Sequence, residues 1–215
     1  MFRAVGSRVA FNLSDMPGID EDEVSETLDE LGLIQINIDI VEQARSRVGI
    51  SSFKRDARLN DAPEYVNCSG FIRWIYAQRG IWLPRRAIQQ REVGGIVFLD
   101  NLQKGDLVFT TGRLNRYVDD PSDGVGHVSM VTENNTLIMA ANEMVGIREY
   151  ALDNFLSGRG FRGARRIIPK DHDVVTLLIP EMLEVETSDD VRWFIIDTLQ
   201  KTVKHKERVA ELIPG

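Results

Sequence analysis

Apolar residues recur every third or fourth position in four stretches of this chain and gather in short β-rich runs in five others, so the pattern itself sorts helices from strands. Val24, Leu28 and Leu31 follow Asp20 and stop at Gly32, which predicts a short helix with an acid-rich, solvated face. Asp20 with Glu23 three residues on resembles a capping box. Ile38, Val41, Ala44 and Val48 predict a second helix over 38–48, and the polar stretch 51–63 reads as an irregular loop. Phe71, Ile72, Ile75 and Tyr76 mark a third helix that starts at Cys68 and ends near Gly80.

From residue 106 the period shortens. Runs at 106–111, 125–131, 136–141, 147–150 and 161–168 are β-rich, with Glu133-Asn134-Asn135 as a hairpin turn between the second and third. Helices followed by a meander of antiparallel strands predict an α+β fold, N-terminal helices packed on a small antiparallel sheet. After Pro169 an apolar segment runs to Pro180, and Ser188-Asp189-Asp190 opens a last helix with the stripe Val191, Phe194, Ile195, Leu199 and Val203. The pattern divides the chain into an N-terminal extension with the acidic helix (1–37), a central domain (38–169) and an appended C-terminal helical segment (170–215).

Composition narrows the function. The 215 residues are 43% hydrophobic, enough for a substantial core, and carry a net charge of -7, which disfavours a nucleic-acid partner bound through a basic field. One cysteine excludes an intrachain disulfide framework, and His127, His172 and His205 without a second thiol argue against a structural metal site. The N-terminus lacks the apolar core of a secretory signal, and no stretch approaches the roughly 20 residues a spanning helix needs. The expectation is a protein that does not insert in membranes, cytoplasmic or exported without a cleaved signal peptide.

The single thiol carries the candidate chemistry. Cys68-Ser69-Gly70 opens a helix, where unpaired N–H groups and the macrodipole lower a thiol pKa and a small Ser-Gly pair lets a substrate backbone approach. A thiol nucleophile needs a base, and His127 follows Gly126 at the start of a strand whose alternation sets His127, Ser129 and Val131 on one face. His172 and His205 lie in polar surroundings and read as solvated. Arg85 and Arg86 are candidates for pairing with a substrate carboxylate, and the long connection 112–125, with Asp119, Asp120 and Asp123, for a wall or lid beside His127.

Four segments in order, Asn67-Cys68-Ser69-Gly70-Phe71, Leu83-Pro84-Arg85, Gly105-Asp106-Leu107-Val108-Phe109 and Gly126-His127-Val128, resemble the NlpC/P60 family of papain-like cysteine peptidases over about residues 40–168. The resemblance implies a papain-like fold, Cys68 as nucleophile, His127 as base, and amide hydrolysis through a thioester. The implied substrate is a peptide or peptidoglycan fragment, cut between D-glutamate and a diamino acid. It implies no cofactor and no metal. The chain departs from the family pattern at Asn67, where Asp is usual, at Phe53, where Tyr is usual, at Arg86, where Ser or Thr is usual, and at Met139, where a third polar residue usually orients the histidine. Asn142 has the chemistry for that third role, but alternation sets it on the opposite face from Met139 unless a bulge intervenes. The candidate site is therefore Cys68, His127 and Asn142 for catalysis, with Ser69, Arg85 and Arg86 for substrate. A catalytically degenerate binding protein and a Cys-His acyltransferase or deamidase are the competing readings.

Overall fold

A computed structural model describes residues 1–16, 18–112, 124–133, 135–156, 160–170 and 172–212, with side chains up to residue 204 in the last helix. The chain forms two compact units, one of Met1–Asn37, Arg79–Ile81 and Asp171–Gly215, the other of Ile38–Gln78 and Trp82–Lys170. The two extensions read from the sequence as separate segments thus join in one unit.

In the first unit, β1 (Arg8–Asn12), β2 (Ile34–Ile36) and β11 (Val174–Leu178) form an antiparallel sheet in the order β1-β11-β2. None of these strands stands out in the sequence pattern, because β11 reads as a short apolar run and its partners lie more than 130 residues away. Helices α1 (Glu21–Glu30) and α6 (Ser188–Leu212) complete the unit. Val9, Phe11, Val24, Leu28, Leu177, Val191 and Ile195 form its core. Val203, placed on the packed stripe by periodicity, is 54% exposed, since the packed face ends near Leu199. Asp20 caps α1 by accepting from the Asp22 N–H at 2.9 Å, rather than through the Glu23 box.

The second unit is built on a six-stranded antiparallel sheet, comprising β5 (Gly95–Val97), β6 (Leu107–Thr111), β7 (Val125–Val131), β8 (Thr136–Asn142), β9 (Gly146–Ala151) and β10 (Phe161–Arg166). Their order is β5-β10-β6-β7-β8-β9, so the meander β6 to β9 is flanked by a returning strand and a short edge. Helix α3 (Cys68–Gln78) packs on β7 and β8, burying Phe71, Ile72, Ile75 and Tyr76. The remaining elements are α2 (Ile40–Arg45), the short parallel pair β3 (Ser52–Phe53) and β4 (Tyr65–Val66), α4 (Ala87–Gln90) and α5 (Leu152–Leu156). The helix expected over 38–48 is shorter because Asp39 caps it, accepting from the Val41 and Glu42 N–H groups, and Gly49 (φ 73°) follows a turn that leaves Val48 exposed. A second apolar cluster, Val97, Val108, Val131, Leu137, Met139, Leu152, Phe155 and Ala164, fills one face of the sheet.

Candidate active site

The nucleophile's seat is a capped helix start. Asn67 carries the cap, its Oδ1 accepting from the Gly70 N–H at 2.9 Å and its carbonyl from the Phe71 N–H at 2.9 Å, while Nδ2 donates to the Arg55 carbonyl at 3.0 Å. The amide oxygen therefore caps the helix as a carboxylate would, and the amide nitrogen adds a donor that a carboxylate lacks. Gln90, fully buried, donates from Nε2 to the carbonyls of Ser69 (3.0 Å) and Pro84 (2.9 Å) and so ties the first turn of α3 to the Leu83-Pro84-Arg85 segment. No motif in the sequence marks Gln90.

The main-chain N–H of Val128, the residue that follows His127 in β7, acts on the Cys68 thiol and favours its ionised form. The residue keeps partial exposure, yet the sulfur is enclosed, and burial pushes the thiol pKa up. The N–H groups of Val128, Ser69 and Cys68 itself, and the charge of Arg85, act in the opposite direction without reversing it. The lowered pKa expected from the helix N-terminus is thus corrected, because desolvation of a thiolate outweighs the dipole of one turn.

His127 is 7% exposed and faces Thr110 across β6. Gly126 before it is required by contact: a Cβ there would lie 2.4 Å from the Gly112 main-chain nitrogen. The imidazole Nε2 lies 3.2 Å from Met139 Sδ, and the ring centroid lies 5.9 Å from that of Phe155 on α5.

Asn142 does not sit in the third position. β8 is irregular between Ala140 and Asn142, as the bulge argument required, but the carboxamide oxygen accepts from the Met144 N–H at 3.0 Å and closes the β8–β9 turn. The residue beside the imidazole is Met139. Ser69, expected to face substrate, is buried, with its hydroxyl turned back toward Asn67 Oδ1 at 3.4 Å. Arg85 is committed inside the protein, Nη2 donating to the Ala57 carbonyl at 2.6 Å and Nη1 to Asn67 Oδ1 at 3.4 Å, while Arg86 is exposed at the start of α4. His172 is exposed; Asp119, Asp120, Asp123 and the side chain of His205 lie outside the described residues. Among the described residues no cluster of His, Cys, Asp and Glu has the grouping to hold a metal ion, and no helix is long and apolar enough to cross a membrane.

Residues 59–160 match the model of the NlpC/P60 family. The chain is 31% identical over 114 residues to a probable endopeptidase of Corynebacterium glutamicum, covering 53% of this chain and 47% of that protein. It is 32% identical over 104 residues to a gamma-D-glutamyl-L-lysine dipeptidyl-peptidase of Bacillus cereus, covering 48% of this chain and 29% of that protein. The match thus spans less than half the length of these curated relatives. The solved structure of NlpC2 from Trichomonas vaginalis superposes with a TM-score of 0.51 at 19% identity, covering 61% of this chain and 46% of that one, a likeness of fold.

Proposed function

Residues 59–160 make this chain a member of the NlpC/P60 family, and from that premise we propose that it is a cysteine hydrolase of amide bonds in cell-wall peptides, cutting between D-glutamate and a diamino acid. The observation that carries the reading is the thiol of Cys68 against the Val128 N–H, next to His127 on β7. Because burial favours the neutral thiol, the proton leaves as attack begins: Cys68 Sγ bonds to the carbonyl carbon while His127 takes the thiol proton. The tetrahedral intermediate holds its negative oxygen against helix-start N–H groups, including that of Cys68. Collapse breaks the C–N bond, and the proton on His127 goes to the leaving amine. Water, activated by the same imidazole, then attacks the thioester and returns Cys68 to its thiol.

Arg86, exposed where α4 begins, is the cation we assign to a substrate carboxylate, and Arg85 acts on the thiol through its charge rather than by touching substrate. The substrate class draws support from the relative in Bacillus cereus whose name specifies a γ-D-glutamyl-L-lysine bond. Mixing the protein with a synthetic γ-D-glutamyl-diamino acid peptide and quenching in acid should give free amine and an acyl adduct on Cys68 by mass spectrometry. Cys68→Ala should give neither. Absence of both from the folded wild-type protein would overturn the assignment.

A further inference from the structure

Cysteine hydrolysis as proposed above requires one imidazole nitrogen to be free of its proton and aimed at the thiol, and something must choose which. Among the described residues, the cross-strand neighbour Thr110, the sequence's candidate Asn142 and the contact residue Met139 are the ones to compare. Thr110 faces it in register across β6, yet its buried hydroxyl has no hydrogen-bond partner among the described residues. Asn142 spends its carboxamide oxygen on the Met144 N–H. Met139 is 1% exposed and belongs to the same face as His127, since Leu137 pairs with Val131 and alternation carries that face to 139 and 127. Its Sδ lies 3.2 Å from Nε2.

A thioether has lone pairs and no proton, so this contact is a hydrogen bond in one tautomer alone, with Nε2–H donating to sulfur. That tautomer leaves the lone pair on Nδ1. We propose that Met139 is the positioning residue of the site, its sulfur accepting from His127 Nε2–H and holding Nδ1 as the base for the Cys68 thiol. The inference rests on the hydrolase reading for its consequence and on the Sδ–Nε2 contact for its substance.

Two physical features make sulfur sufficient. The ring is already confined by packing, with Phe155 on one side and the strand beneath it, so the acceptor has only to select between orientations and tautomers. A soft, neutral acceptor also stabilises the imidazolium less than a carboxamide does, which keeps the base weak and ready to return its proton. Met139 thereby differs from an inert core residue in a measurable respect: the lone pair on sulfur matters, beyond the volume.

The test compares wild type with Met139→Leu, which keeps volume and removes the acceptor, and Met139→Gln, which restores one; Met139→Ile replaces the leucine variant if that fails to fold. Nitrogen-15 shifts of the His127 ring, assigned by difference from His127→Gln, report the tautomer without any substrate. The expected result is Nε2–H in wild type and Met139→Gln, and a mixed population in Met139→Leu, with kcat on the γ-D-glutamyl peptide falling about fivefold to tenfold at unchanged KM and the acid limb of the pH profile displaced. An unaltered tautomer and pH profile in Met139→Leu would overturn the proposal. A tautomer shift in a wild-type background that cleaves no peptide would uphold the contact and count against the hydrolase reading alone.

Discussion

Glu149 and Cys68 are two acidic side chains of the second unit whose surroundings act on them in opposite directions. Glu149, on β9, receives Arg45 at both oxygens (3.0 and 3.2 Å) together with the hydroxyls of Thr132 and Thr136, and its pKa falls to about 2. The cluster extends through Glu133 to Lys104 and Asp39 at the surface. Cys68 has helix-start N–H groups and a half-buried arginine nearby, yet burial still drives its pKa up. The same unit thus holds one acid in its charged form for structure and another in its neutral form at the place where a proton has to move. Charge is matched where nothing reacts and left unmatched where reaction is proposed.

Breaking the reactive side of this contrast should have the largest effect. His127→Ala removes the proposed base, and peptide cleavage should fall about 10³-fold at neutral pH, measured as amine release. A loss under tenfold would take His127 out of the chemistry. Next in size is Gln90→Leu, which strips the buried donor from the Ser69 and Pro84 carbonyls and should cost about 2 kcal/mol by urea denaturation, with slower cleavage as the seat of the thiol loosens.

Asn67→Ala removes the cap of α3 and should cost about 1 kcal/mol, whereas Asn67→Asp should keep the cap, lose the donor to the Arg55 carbonyl and fall between wild type and Asn67→Ala. Asn67→Asp also brings a carboxylate toward the thiol, so alkylation of Cys68 by iodoacetamide should slow further at neutral pH. The smallest effect sharpens the structural side. The native pKa of Glu149 lies below its ordinary value of 4.5, so its pairing contributes fully above that value and is lost as the pH falls toward 2. Glu149→Gln should therefore lower stability by about 0.5–1 kcal/mol at pH 7, discounted for the water on the open side of the pair, and the gap from wild type should close between pH 4.5 and 2. Thermal melts at pH 7, 4 and 2.5 would measure it.

Periodicity located α1, α3 and α6 because each buries one face and burial imposes the 3.6 repeat, while the strands β6 to β10 were legible as short β-rich runs, of which β6, β7 and β8 are buried almost throughout. It missed β1, β2 and β11, whose pairing joins residues from the two ends of the chain. It also stopped short of the site's finer geometry. Asn142 has suitable chemistry and a bulge at the expected place, yet the turn after β8 claims its oxygen first. Arg85 and Ser69 were legible as polar residues near the thiol, and the fold turned both inward.

The amino-acid sequence by itself determined the helices α1, α3 and α6 and the strands β6 to β10, that a thiol opens a helix and that a histidine follows a glycine at the head of a strand, because these are local matters of propensity, patterning and capping. Only the tertiary structure decided that the thiol meets the main chain beside that histidine, that burial outweighs the helix dipole at the sulfur, and that a methionine occupies the place next to the imidazole. Those outcomes depend on desolvation and on contacts between segments about 60 and 12 residues apart, and neither leaves a periodic trace along the chain.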